Sequence, residues 1–304
     1  MQLKVFLLGT ASAMPTYERG LSSVALVRGN EVLLFDAGEG MQRNFIKAGI
    51  GTNRKMKVFI THMHSDHCVG LLGLLQTMTL QNRDMPIQLY GPEQIGDFIN
   101  SNMKLLNFGL TFPLTVRAVS EGIISQEKDY VVRAKLARHS VRTYSYCLEE
   151  RERPGTFYPD KARALGIPQG RLWHRLQHGE DIEFNGIIVR SSDVTGSKRK
   201  GRKIGISGDT RPDDGLVDFF RDCDLLIFDS TYGDEHKDKA AENMHSTARE
   251  AAILARKANV KQLVLTHFSA RYDDTGVLVR EALEVHPNVV AGSDLMSIDV
   301  PYPD

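Results

Sequence analysis

Residues 57–67 read KVFITHMHSDH, a short apolar run, KVFI, that leads directly into three histidines and an aspartate. The run has the character of a strand covered on both faces, and the polar cluster begins where that strand ends. Four groups able to bind a metal, His62, His64, Asp66 and His67, fall within six residues. Imidazole suits zinc and similar ions, carboxylate tolerates them, and sites with open positions are the catalytic ones. In an extended stretch His62 and His64, two residues apart, lie on one side. Asp66 and His67 are adjacent at the start of the following helix and point elsewhere. One ion cannot readily take all four; two ions can share them, provided later segments supply the missing ligands.

Outward from this stretch, short β-rich runs recur: 3–8, 23–28, 32–36, 87–91, 131–137, 203–207, 225–229 and 262–266. Between them lie helical segments. The clearest is 248–258, where Thr247 and Glu250 form a capping box and Ala248, Ala251, Ala252, Ala255 and Ala258 an apolar stripe. The pattern predicts two sheets with helices outside, a layered α/β domain. Three later strands end on suitable donors: VVRAKLAR runs into His139, KIGISG into Asp209 and QLVLT into His267. Strand ends of one sheet converge on a crevice, so ligands distant in sequence can meet there. The count closes at seven side chains, and with Asp209 bridging, each ion has four protein contacts and room for a shared water.

The chain has 304 residues, 41% hydrophobic and 25% charged, which excludes a disordered or fibrous protein. Lys plus Arg equals Asp plus Glu at 38 each, yet the charge is segregated: 133–175 carries ten basic and four acidic residues, and KRKGRK (198–203) five more basic ones. Cys68, Cys147 and Cys223 are far apart and suggest neither a disulfide framework nor a thiolate zinc site, which fits a reducing cytoplasm. No run approaches the eighteen apolar residues of a membrane span, so a soluble, intracellular protein with no membrane partner is expected.

With these residues in view, HxHxDH after a strand, followed by separate His, Asp and His at strand ends, resembles the metallo-β-lactamase superfamily of dinuclear hydrolases. Within it the chain resembles the ribonuclease Z family of tRNA 3′-processing endonucleases. That resemblance rests on LLGTASAMP (7–15), LLFDAGEG (33–40), FITHMHSDHCVGLLGLL (59–75), ALGIPQG (164–170), RKIGISGDTRP (202–212), HSTAREAA (245–252) and LTHFSARY (265–272). It implies a four-layer αββα sandwich, one domain over 1–304 with a flexible protruding arm at 150–181. It implies two zinc ions per subunit, or other divalent metals: one on His62, His64, His139 and Asp209, the other on Asp66, His67, Asp209 and His267. Asp66 is then also the proton acceptor, and His245, just before the capping box, protonates the leaving 3′ oxygen. Asp36, in FDAGEG, is read as support behind the metals or as a plain turn residue. FDST (228–231) stands where relatives have His-Glu-Ala-Thr, so Asp229 takes the place of the Glu that orients His245.

The activity implied is zinc-dependent hydrolysis of the phosphodiester 3′ of the discriminator nucleotide of precursor tRNA, leaving a 3′-hydroxyl tRNA and a 5′-phosphorylated trailer. The stretch 149–181 breaks the strand and helix rhythm with three prolines, four glycines and the only tryptophan. As the family's arm it would grip tRNA. Arg151, Arg153, Lys161, Arg163, Arg171 and Arg175 would neutralise phosphates, and Phe157, Tyr158 and Trp173 would offer stacking faces. Lys198, Arg199 and Lys200 would line the approach to the metals. The family also implies a homodimer, the arm of one subunit acting on substrate held by the other. The alternative is a small-molecule hydrolase on the same scaffold, a phosphodiesterase, lactonase or thioesterase, which needs no such arm.

Overall fold

The apolar runs become two seven-stranded mixed sheets in the computed structural model, which describes residues 1–303. The chain divides into a larger unit, 1–149 with 203–301, and a smaller one over 150–202 together with Tyr302 and Pro303.

In the larger unit the first sheet runs, edge to edge, Ser297–Asp299, Leu3–Gly9, Ser23–Arg28, Glu31–Phe35, Lys55–Phe59, Ile87–Gly91, Leu114–Ala118. The second runs Val289–Ala291, Leu263–Thr266, Leu225–Asp229, Lys203–Ile206, Thr143–Glu150, Tyr130–Ala137, Gly122–Gln126. One core lies between the sheets, where Val5, Leu33 and Phe59 of the first meet Tyr146, Ile204 and Ile227 of the second. The outer face of the first sheet is covered by the helices Met41–Lys47, Gly70–Leu80 and Ile95–Leu105, through Phe45, Leu71, Leu74 and Ile99. The outer face of the second is covered by Asp214–Phe219, Ala248–Lys257 and Gly276–Leu283. The layers are therefore helix, sheet, sheet, helix, as expected. Thr247 and Glu250 form the capping box that starts Ala248–Lys257, and its alanines are buried against the sheet.

Function is positioned by the parallel part of each sheet. Glu31–Phe35 pairs parallel with Lys55–Phe59, and Lys203–Ile206, Leu225–Asp229 and Leu263–Thr266 are mutually parallel neighbours. Their carboxyl ends carry Asp36, His62, Asp209, Asp229 and His267, the place where open α/β sheets bind ligands. Close backbone approach holds the histidine-rich turn. A Cβ on Gly70 would lie 2.0 Å from the Gly38 carbonyl oxygen, so only glycine lets the helix from Gly70 pack on the turn after Asp36.

The smaller unit has its own core. Helices Pro159–Ala164, Arg171–Gln177 and Ser191–Val194 and the hairpin Ile182–Phe184/Ile187–Val189 enclose Ala162, Ile167, Trp173, Leu176, Ile182, Val189 and Val194. The unit extends past 181 to Arg202, so Lys198, Arg199 and Lys200 belong to it.

Candidate metal centre

The seven expected ligands meet. His62 Nε2 lies 3.1 Å from His64 Nδ1 and 3.6 Å from Asp209 Oδ2; His139 Nε2 lies 3.3 Å from His64 Nδ1 and 4.0 Å from Asp209 Oδ2. In the neighbouring cluster, His67 Nε2 is 3.6 Å from Asp66 Oδ2, 3.3 Å from Asp209 Oδ2 and 3.4 Å from His267 Nε2. His267 Nε2 is 3.5 Å from Asp66 Oδ2 and 3.3 Å from Asp209 Oδ1. Asp209 is common to both groups. Ligand bonds of about 2.0–2.1 Å in a tetrahedron place the donors roughly 3.3–3.4 Å apart, and the separations here run from 3.1 to 4.0 Å.

For four of the five histidines the surrounding hydrogen bonds fix which nitrogen faces inward; His64 turns Nδ1 toward His62 and His139. Thr61 Oγ1 donates to Asp36 Oδ2 (2.8 Å), so it accepts from His62 Nδ1 (2.9 Å). Thr231 Oγ1 donates to Asp229 Oδ1 (2.6 Å) and accepts from His267 Nδ1 (2.8 Å). His67 Nδ1 donates to Asp36 Oδ2 (2.7 Å), and His139 Nδ1 to the Met244 carbonyl (3.0 Å). All four Nε2 atoms therefore present lone pairs to the centre, as metal-binding histidines do when a carboxylate, hydroxyl or carbonyl holds the other nitrogen. Facing lone pairs and two carboxylates make a donor set that fits cations. Asp36 accepts from both Thr61 and His67 and is also a turn residue, with φ at 58°; His267 sits at φ 64°. Strained backbone of this kind persists where surrounding contacts over-determine it.

Burial opposes a charged His67 ring, but Asp209 and Asp36 prevail and raise it well above its ordinary value, so that protons compete with cations for these inward donors. Burial would raise the Asp66 carboxyl, but the hydrogen bond from His267 and the charges of His67 and His267 prevail and hold it well below the usual carboxylate range. Its Oδ2 also accepts the Ala13 N–H at 2.8 Å. Asp209, fully buried, is likewise held down against burial by His267 and His67. Burial, aided by the neighbouring His67, lowers His62 well below its ordinary value.

His245 stands beside the ligands, its ring 5.1 Å from that of His267 and 5.0 Å from that of His139. Its Nδ1 meets Asp229 Oδ2 at 2.9 Å, the substitution for Glu that FDST suggested. Burial opposes the charged ring, but this carboxylate prevails and raises His245 to about 9. Asp229 in turn accepts from the Thr210 and Thr231 amides, which leaves it committed to orienting His245. Arg211 donates to the His245 carbonyl and pairs with Glu250 of the capping box, so loop and helix are locked together. Sequence reading did not reach Thr61, Thr231, Arg211 or the Met244 carbonyl. For the two threonines the available signal was adjacency to the ligand-bearing strand ends.

The basic residues of the smaller unit divide into committed and open ones. Arg163 pairs with Asp160 at 2.7 Å, Arg175 with Glu180 at 2.9 Å and Lys198 with Glu152 at 3.9 Å. Arg199 reaches the Pro154 carbonyl, and the half-buried Arg153 the Lys200 carbonyl. Arg151, Lys161, Arg171 and Lys200 are exposed. Trp173 corrects the expectation of a stacking face: it is 7% exposed, packs against Phe157 and donates to the Ile167 carbonyl, because a small unit needs its largest apolar side chain as core.

Among known proteins, the chain is 49% identical to the ribonuclease Z of Nitrosopumilus maritimus (strain SCM1), covering 98% of this chain and 100% of that relative. It is 40% identical to the ribonuclease Z of Methanosarcina acetivorans, covering 99% of each. The crystal structure of human tRNase Z, short form, superposes with a TM-score of 0.73 at 30% identity, covering 98% of this chain and 99% of that one. Residues 3–110 match the family model of the anti-Pycsar protein Apyc1, a third of the chain that includes the histidine-rich turn.

Proposed function

The chain belongs to the ribonuclease Z family, and from that membership we propose that it removes the 3′ trailer of precursor tRNA at a centre of two zinc ions. It is an endoribonuclease, a phosphodiester hydrolase acting in tRNA 3′ processing, and it binds divalent metal. The finer reading assigns one ion to His62, His64, His139 and Asp209 and the other to Asp66, His67, Asp209 and His267. The observation that carries it is the convergence of these seven donors in two groups that share Asp209. Held by these residues, two such ions would supply an activated water and stabilise both the attacking and the leaving oxygen of an in-line displacement.

The side chains do the rest. Asp66, ionised at neutral pH, accepts a proton from the attacking water and is held in place by the Ala13 amide. His245, kept protonated by Asp229, donates to the 3′ oxygen as its bond to phosphorus breaks. Water adds to phosphorus, the trailer keeps the phosphate at its 5′ end, and the tRNA leaves with a 3′ hydroxyl. The insertion, with exposed Arg151, Lys161, Arg171 and Lys200, grips the tRNA, one subunit of a homodimer presenting it to substrate cut by the other. The three cysteines are free, which fits a cytoplasmic setting, and among the described residues no helix is long and apolar enough to cross a membrane.

The test is incubation of the purified protein with a trailer-bearing precursor tRNA, with and without chelator, and mapping of the cut. A single metal-dependent cut 3′ of the discriminator is expected. Hydrolysis of small phosphodiesters with no cleavage of precursor tRNA would favour the small-molecule alternative.

A further inference from the structure

The two ends of the insertion are joined by a short ladder. The Glu150 N–H donates to the Arg202 carbonyl (2.9 Å), and Arg153 and Arg199 exchange both backbone hydrogen bonds, at 2.8 and 3.0 Å. The Glu150 carboxylate takes the Arg202 guanidinium through two bonds of 2.8 Å, with the two side chains only 3% and 2% exposed. A residue far along the chain completes this root. The ring centroid of Tyr302 lies 3.5 Å from Arg153 Cζ and 3.9 Å from Arg202 Cζ. Two guanidinium groups at those distances would overlap if they shared one face of the ring. The phenol ring therefore lies between them, one guanidinium from the segment that enters the insertion and one from the segment that leaves it.

Attraction between a guanidinium and an aromatic face grows as the pair is desolvated, and Arg202 is buried. Pro301 and Pro303 flank Tyr302, so the ring is carried on a segment with few backbone conformations. Just before it, the Val300 N–H donates to the Leu3 carbonyl at 3.0 Å.

We propose that Tyr302 is a positioning residue for tRNA cleavage: by holding Arg153 and Arg202 against its two faces it keeps the root of the insertion closed. The insertion then meets the tRNA in one arrangement, and binding does not have to select that arrangement from a splayed ensemble. This rests on the reading of the insertion as the tRNA grip. The ring itself touches no substrate.

Steady-state kinetics of the full chain with precursor tRNA and, separately, bis(p-nitrophenyl) phosphate test the clamp. Tyr302→Ala is expected to raise KM for precursor tRNA about three- to tenfold, as loss of aromatic–cation contacts at a closed root implies. kcat and the small-substrate rate should stay unchanged. Tyr302→Phe, which keeps the ring, should restore the wild-type KM, and backbone amides of Arg153 and Arg199 should exchange hydrogen faster in the alanine variant only. An unchanged KM in Tyr302→Ala, or a phenylalanine variant as impaired as the alanine one, overturns the proposal. Replacing Arg151, Lys161 and Arg171 with Ala in the same assay separates the two readings. If that variant raises KM and Tyr302→Ala does not, the clamp alone fails; if neither does, the grip assignment fails and takes the clamp with it.

Discussion

His245 Nδ1 and Asp229 Oδ2 meet at 2.9 Å, with Asp229 buried and fixed by the amides of Thr210 and Thr231. The pair converts a histidine that would be mostly neutral at pH 7 into one protonated up to about 9. Because its pKa is raised, the acid form is fully present at low pH and is lost as pH rises through the folded value. Activity that depends on His245 as proton donor therefore declines on the alkaline side. Asp229→Asn should move that decline toward the ordinary histidine range and lower kcat at pH 8 by about 10- to 100-fold. A pH–rate profile of cleavage checks this, and an alkaline limb that stays where it was would remove His245 from the donor role.

Asp66 combines ligation with proton acceptance, so its loss should damage chemistry far more than binding. Asp66→Ala is expected to reduce cleavage by about 1,000-fold or more, with the Kd for precursor tRNA within a few fold of wild type. A comparable loss of affinity, measured by filter binding, would count against the catalytic assignment.

His139 joins the first group of donors from a different strand, and its Nδ1 is held by the Met244 carbonyl at 3.0 Å. His139→Ala should lower bound metal by about one ion per chain, read by elemental analysis after exhaustive dialysis. Unchanged metal content would take His139 out of the site.

Salt separates phosphate contact from shape. Replacing Arg151, Lys161 and Arg171 should weaken tRNA binding and reduce the slope of log K against log salt by about 2 to 3, because each lost contact releases one counterion fewer. An unaltered slope would mean that these side chains face solvent in the complex.

Gly70 has no room for a side chain, since its Cβ would come within 2.0 Å of the Gly38 carbonyl oxygen. Gly70→Ala should push the helix Gly70–Leu80 off the turn that holds Asp36, and so loosen His67. A stability loss of about 1–3 kcal/mol or more is expected, seen as a lower Tm together with weaker metal retention. A wild-type Tm would show that the turn can yield.

The sequence revealed most clearly those parts whose local pattern and tertiary role agree. Parallel strands buried on both faces appear as apolar strings, and donors at their ends follow from the geometry of such sheets. Thr143–Glu150 is no apolar string, because Thr143, Ser145 and Cys147 alternate with the core residues Tyr144, Tyr146 and Leu148, and buried Ser145 is satisfied by the Ser207 carbonyl at 2.6 Å. Leu114–Ala118 alternates apolar and polar residues, but over five residues only, and as an edge strand it stays largely exposed, so the pattern is not matched by burial. In the insertion, Trp173 looked like a base-stacking platform because aromatic and basic residues interleave there. Only packing reveals it as core. The hairpin turn Asn185–Gly186, both at positive φ, carries a strong local signal but lies beyond residue 181, where the insertion was expected to end. Tyr302 could not have been placed from sequence, because nothing local links it to Arg153, 149 residues earlier.

The dinuclear centre is tested most directly by counting metal ions per chain in wild type and in Asp209→Ala, purified side by side and analysed by inductively coupled plasma mass spectrometry. The shared carboxylate predicts about two ions in wild type and loss of both affinities together when it is removed, because Asp209 belongs to both donor groups. A wild type that holds one ion, or an Asp209→Ala protein that retains two, would contradict the account.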